Sequence, residues 1–163
     1  MQIPNRLVDP NRHLMMVQPF IHRINFASLA AAATATGSFT TQNDSDFVIT
    51  KTTYFCFQDV AVFNDTAIAA MGGLTANKRI LPPVTCQLND SGSGRNLLEA
   101  GVPISTLFGD AQLPYIWSEP YKLSGNSTMT ATLENLSTAA GGNQAFVIRL
   151  QFHGVKLFYG GVK

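Results

Sequence analysis

Residues 127–135 restrict what this chain can fold into. Met129, Ala131 and Leu133 alternate there with Thr128, Thr130 and Thr132. Successive side chains of an extended strand point to opposite faces, so the pattern sets an apolar row against a hydroxyl row. A helical period of 3.6 would scatter both sets around the axis. The segment reads as a half-buried strand. The same period returns at residues 84–90, with Val84, Cys86 and Leu88 inward and Thr85, Gln87 and Asn89 outward. Residues 47–58 are aromatic and β-branched, which suits a pleated surface. There Phe47, Ile49, Phe55 and Phe57 share one parity, and Val48, Thr50, Thr52 and Tyr54 the other. Near the end, Phe146, Ile148, Leu150 and Phe152 form one face. Gly154 then reads as a bulge or bend after which residues 155–159 start a new register.

Turn residues separate these runs: Asn43-Asp44-Ser45-Asp46, Asp90-Ser91-Gly92-Ser93-Gly94, Ser124-Gly125-Asn126, and the glycine-rich 139–143. The spacing predicts seven to nine short strands and hence an all-β antiparallel β-sandwich, jelly-roll-like, rather than a parallel α/β sheet. Composition agrees. Only 13% of the 163 residues are charged, against about 25% in an average domain, and glutamate occurs only as Glu99, Glu119 and Glu134. Helical surfaces draw on Glu, Lys and Arg, whereas this chain offers Thr, Asn and Ser. Residues 1–18 hold Pro4, Pro10 and no sustained period, so they read as an extended N-terminal arm that is ordered only by lying on something. The β-domain spans 19–163. The alanine run before Thr34 admits a short helix that Thr34, Thr36 and Gly37 weaken. Within 59–81, Asp65 is placed to cap a short helix ended by Gly72-Gly73, which makes an inserted loop or flap.

The net charge of +1 gives no electrostatic footprint for direct nucleic-acid binding. No apolar run reaches the 18 or more residues of a membrane span, so no membrane partner is expected. Pro4, Asp9, Pro10, Arg12 and His13 break up any signal-peptide core, so synthesis and assembly are expected in a cytoplasm. Cys56 and Cys86 lack CxxC spacing and read as two small half-buried residues, with a disulfide open but not demanded.

A search for chemistry returns little. His13, His22 and His153 show no metal-ligand spacing, and the GxSxG elbow is absent. Residues 91–94, Ser-Gly-Ser-Gly, precede no helix and read as a surface turn. Asp44 and Asp46 lack the later ligands of a calcium loop and read as an Asx turn. Three Asn-x-Ser/Thr matches, at Asn64, Asn126 and Asn135, are chance in so Asn- and Thr-rich a chain. No catalytic residue, cofactor or metal is expected. Trp117 lies in a proline-flanked loop with Tyr115 and Tyr121. These rings suit a plug at the end of the sandwich, an interface anchor or a sugar platform.

The C-terminal half has a recognisable layout. A strand is followed by Asp90, Gly94-Arg95, Pro103 and Phe108-Gly109. Then come Pro114, Pro120, Ser127, a Thr-rich strand ending in Asn135, and a strand-Gly154-strand close. Over about residues 80–160 this resembles small virion proteins of tailed bacteriophages. The resemblance implies a non-enzymatic β-sandwich structural protein on a capsid or its neck. The expected role is capsid decoration, a cement protein on the virion surface that binds the major capsid protein where capsomers meet and resists DNA pressure. A homotrimer is the favoured oligomer. The alternatives are a collar ring at the portal vertex and a host-glycan-binding module. Arg6, Arg12, Met15, Met16 and Phe20 in and beside the arm, and Tyr115, Trp117 and Tyr121 in the loop, are the expected intersubunit and capsid contacts.

Overall fold

The computed structural model of the protein describes residues 7–58, 82–98, 100–110, 112–137 and 145–162. The expected flap at 59–81 and Arg6 lie outside these. Among the described residues nine strands follow in order: β1 (Arg12–Leu29), β2 (Thr34–Thr40), β3 (Ser45–Gln58), β4 (Val84–Asp90), β5 (Arg95–Asn96), β6 (Val102–Pro103), β7 (Tyr115–Leu123), β8 (Thr128–Asn135) and β9 (Phe146–Val162). One helical turn, α1 (Ile104–Leu107), joins β6 to β7. The front sheet has the order β1-β9-β3-β7 and the back sheet β2-β8-β4-β5, with β6 also on β4. All of these strand pairs are antiparallel. The chain passes from sheet to sheet at β1–β2, β2–β3 and β3–β4, and again at β6–β7, β7–β8 and β8–β9. That wrapping, with the first and last strands side by side, is the jelly-roll form of a β-sandwich.

The back sheet follows the sequence pattern. Val84, Cys86 and Leu88 of β4 and Met129, Ala131 and Leu133 of β8 face the core, at 0–2% exposure. From β9, Ile148, Leu150 and Phe152 meet them, all at 0%. The front sheet departs from it in three places. In β3, Ile49 pairs with Gly154 and Lys51 with His153, so Thr50 is an extra residue. A one-residue bulge exchanges the two faces of a strand. Phe47 and Ile49 are therefore buried before it, Thr52 and Tyr54 after it, and Phe55 points outward at 54% exposure. The single parity expected for 47–58 is thus corrected by the bulge. Buried Thr52 stays satisfied because its hydroxyl donates to the Leu107 carbonyl at 2.7 Å.

Second, β9 changes register at Gly154 only against β3, where Thr50 is the extra residue, and not against β1. Its pairing with β1 runs unbroken from Met16↔Phe158 to Phe26↔Ile148. Gly154 instead permits close approach, since a Cβ there would run into the carbonyl of Val48. Third, β1 begins at Arg12, so residues 12–18 of the expected arm are strand. Residues 7–11 fold back on the same chain. Leu7 and Val8 pack with Leu14, Val48, Val155, Leu157 and Tyr159 in a small second core outside the front sheet. The Asp9 amide donates to the Tyr159 hydroxyl at 3.2 Å. The alanine run is a turn, not a helix, with Ala32 at φ 54°.

Candidate interaction site on the front sheet

The two outer faces of the sandwich differ in chemistry. Across the back sheet, Thr34, Thr36, Ser38 and Thr40 of β2 lie beside Thr128, Thr130 and Thr132 of β8. Hydroxyl pairs Thr36–Thr132 at 3.3 Å and Thr40–Thr128 at 2.9 Å tie this surface to itself. The front sheet is apolar at its margins. Nine large apolar side chains are exposed among the described residues, and eight belong to the front sheet or the turn leading into it. Met15 (69%), Met16, Val17 and Ile21 (52%) lie on β1, Phe55 on β3, Leu113 before β7, and Tyr115 and Ile116 (71%) on β7. The ninth, Leu136, follows β8.

Strands β1 and β7 are the two edges of that sheet. One row crosses its outer surface through Ile21, His153, Lys51 and Ile116. An isoleucine thus stands at each end, with two basic side chains between. Beside this row an open groove of about 640 Å³ is lined by Pro19, Phe20, Ile21, Thr50, Lys51, His153, Gly154 and Val155. Burial, then the Lys51 ammonium, pushes the His153 imidazole below its ordinary value. Its Nε2 lies 2.9 Å from the Thr53 hydroxyl, which donates onward to Gln151 at 3.0 Å. This network holds the ring in one orientation.

The structure divides the expected contact residues. Met15 and Met16 are exposed. Arg12 is committed within the chain, its guanidinium 4.6 Å over the Tyr159 ring. Phe20 is half-buried beneath the Lys156 ammonium at 3.7 Å. Tyr115 is 40% exposed. The Trp117 indole N–H donates to Thr52 Oγ1 at 3.2 Å, and the Tyr121 hydroxyl donates to buried Asp90 at 2.8 Å. The rings tilt by 79° between Tyr115 and Trp117 and by 41° between Trp117 and Tyr121. Trp117 and Tyr121 pack, partly buried, against the main core, and Tyr115 is exposed.

Sequence reasoning missed Ile21 and Phe55 as exposed apolar positions. A signal existed for both. Phe20-Ile21 and Tyr54-Phe55 are consecutive apolar residues in strands, and one of each pair must face away from the core. The expected turn at 43–46 serves the fold: Asp46 is buried, pairs with Lys122 at 3.0 Å and accepts the Gly125 amide at 3.0 Å. No group of three or more His, Cys, Asp or Glu side chains capable of holding a metal occurs among the described residues. No helix among them is long and apolar enough to cross a membrane. Cys56 and Cys86 are free thiols, which burial pushes up to about 11 and about 12.

The fold and this surface define a class, a jelly-roll β-sandwich with one hydroxyl-lined face and one apolar-edged face. No family model, curated protein or solved structure matches the chain.

Proposed function

We propose that the protein is a non-enzymatic structural component of a virion, a decoration or cement protein that binds the major capsid protein on the outer shell at capsomer junctions. The observation that carries this reading is the sidedness of the sandwich. Apolar side chains crowd the front-sheet edges, while the back face is threonine. Exposed apolar area of this extent marks an interaction surface, and interface cores are poor in charge, as this chain is. Jelly rolls recur in viral capsids, which adds support by analogy of fold alone. Contacts repeated over a shell sum by avidity, so each can be modest while the shell gains resistance to internal pressure.

The test is co-sedimentation with expanded shells of the coat protein encoded in the same genome. The expected result is saturable binding and a raised temperature of shell disruption. Absence of binding at tens of micromolar refutes the reading. A collar ring at the portal vertex uses the same surfaces and predicts binding to portal complexes and not to shells. Deleting residues 1–18 is not a clean test, because it removes part of β1. Substitutions at exposed positions are.

A further inference from the structure

We infer that the groove on the outer surface of the front sheet receives an extended protein segment that is both acidic and apolar, with its carboxylates on Lys51 and Arg23 and its apolar side chains against Pro19, Ile21 and Val155. The inference deepens the preceding one and rests on it only in treating the front sheet as the contact side.

Charge carries it. Strands β1, β9 and β3, which border the groove, hold Arg12, Arg23, Lys51, Arg149 and Lys156 against a single acid, Asp46. Most of these are committed within the chain. Arg12 covers the Tyr159 ring, and Lys156 is buried against Gln42 and Phe20. Asp46 holds Lys122, and Arg149 makes contacts of its own. Lys51 and Arg23 remain. Both are exposed, and neither has an ion pair among the described residues. Lys51 lines the groove, and Arg23 stands two residues beyond Ile21 on the same face of β1. None of the lining residues is acidic. Two unpaired cations on an otherwise apolar surface are complementary to carboxylates that carry apolar neighbours.

Shape narrows the occupant. The lining residues come from two rows, Pro19–Val155 and Ile21–His153–Lys51, with Phe20 and Gly154 between them. Rows two residues apart on a strand are separated by about 7 Å. A helix with its side chains is about 10 Å across, so an extended chain fits better. The groove lies open, whereas a small-molecule site encloses most of its ligand. Nucleic acid binding recruits many more cations than these two. An extended protein segment needs only one of its faces covered, and it supplies the negative charge that the groove lacks.

The experiment titrates the full chain with two short fluorescein-labelled peptides, one alternating aspartate with leucine and the other asparagine with leucine. Anisotropy gives the affinity and amide NMR shifts give the place. The aspartate peptide should bind with a Kd on the order of 100 µM at low salt. It should shift the amides of Ile21, Lys51 and His153, and weaken as salt rises past about 0.1 M. The asparagine peptide should bind about fivefold more weakly. Lys51→Gln should weaken the aspartate peptide about threefold and Lys51→Glu about tenfold. Circular dichroism checks folding, and Arg23→Glu replaces Lys51→Glu if that variant misfolds. No saturation by about 1 mM overturns the inference. So do equal affinities for the two peptides, an unchanged affinity in the charge-reversed variant, or shifts confined to another surface. Octanoate that displaces the peptide at a lower concentration also overturns it, by making the groove a site for small amphipathic acids. Shell co-sedimentation separates the two proposals. Shells that bind wild type and Lys51→Glu equally sink the groove contact alone, and a chain that binds the aspartate peptide in the groove yet ignores shells sinks the decoration reading alone.

Discussion

Replacing His22 with phenylalanine should reduce the acid sensitivity of this fold between about pH 6.5 and 4. His22 lies on β1, stacked on Phe39 at 4.2 Å and 8°, and edge-on to Phe47 at 4.7 Å. Its Nε2 is buried without a hydrogen-bond partner. The Lys156 ammonium nearby donates to Gln42 at 3.0 Å and covers Phe20. Burial, then the charge of Lys156, holds the imidazole down to about 4 from an ordinary 6.5. Between those values the unfolded chain takes up a proton that the folded ring refuses. Stability is therefore highest above about pH 6.5, falls as the pH drops toward 4, and levels off below. At 1.36 kcal/mol per pH unit the whole interval corresponds to about 3 kcal/mol. The ring is partly exposed, so screening reduces the expected effect to on the order of 1–2 kcal/mol.

The assay is urea unfolding followed by Trp117 fluorescence at several pH values from 7.5 to 4, for wild type and His22→Phe. The difference between the two cancels every contribution they share. Phenylalanine also removes the orphaned nitrogen, so the variant should gain about 1 kcal/mol at pH 7.5. It should gain more as the pH falls. Parallel profiles for the two proteins between pH 6.5 and 4 would refute the reasoning.

Gly154→Ala drives a methyl into the Val48 carbonyl, where backbone has to shift, and should cost roughly 3 kcal/mol or more in urea unfolding; a loss under 0.5 kcal/mol would contradict the close approach. Leu133→Ala leaves a cavity at a side chain with 0% exposure and should cost about 2–5 kcal/mol, with the m-value unchanged. The Asn135 amide donates to the carbonyls of Leu29 at 3.1 Å and Ala30 at 3.0 Å, so Asn135→Ala should lower stability by about 2–3 kcal/mol and loosen the β1–β2 turn in hydrogen exchange. Cys56 and Cys86 should resist a thiol reagent at pH 8 in the native state and react fully in urea; rapid native labelling of Cys86 would refute its burial.

What the sequence reveals depends on whether a strand has one wet face. In β4 and β8 it does, so Val84, Cys86, Leu88, Met129, Ala131 and Leu133 could be assigned inward from alternation alone. In β3 the alternation is interrupted by Thr50, opposite the step from Gly154 to His153 on a strand about a hundred residues away. A residue-by-residue period cannot carry that information. The start of β1 was obscured for a related cause. Leu14 faces a second small core while Met15 and Met16 face water, so neither period nor polarity marks the strand. At the candidate site, Met15, Met16 and Tyr115 were legible as sticky side chains. The restraint on Trp117 was not, because its partner Thr52 comes from another strand. Ile21 and Ile116 become a pair only once β9 and β3 fix their common row.

The pairing of β1 with β9 also bears on how the protein forms. The longest ladder in the front sheet joins the earliest strand to the latest, so loop closure over almost the whole chain precedes its reward. Folding is accordingly expected on the millisecond-to-second scale of nonlocal β topologies. Until β9 is made, β1 has no sheet partner on either flank, and Met15, Met16, Val17 and Ile21 stand beside Phe20, Ile24 and Phe26 in open solvent. During synthesis this segment is the one most in need of a chaperone, and a slowed translation of the last strand should send more of the product into inclusion bodies.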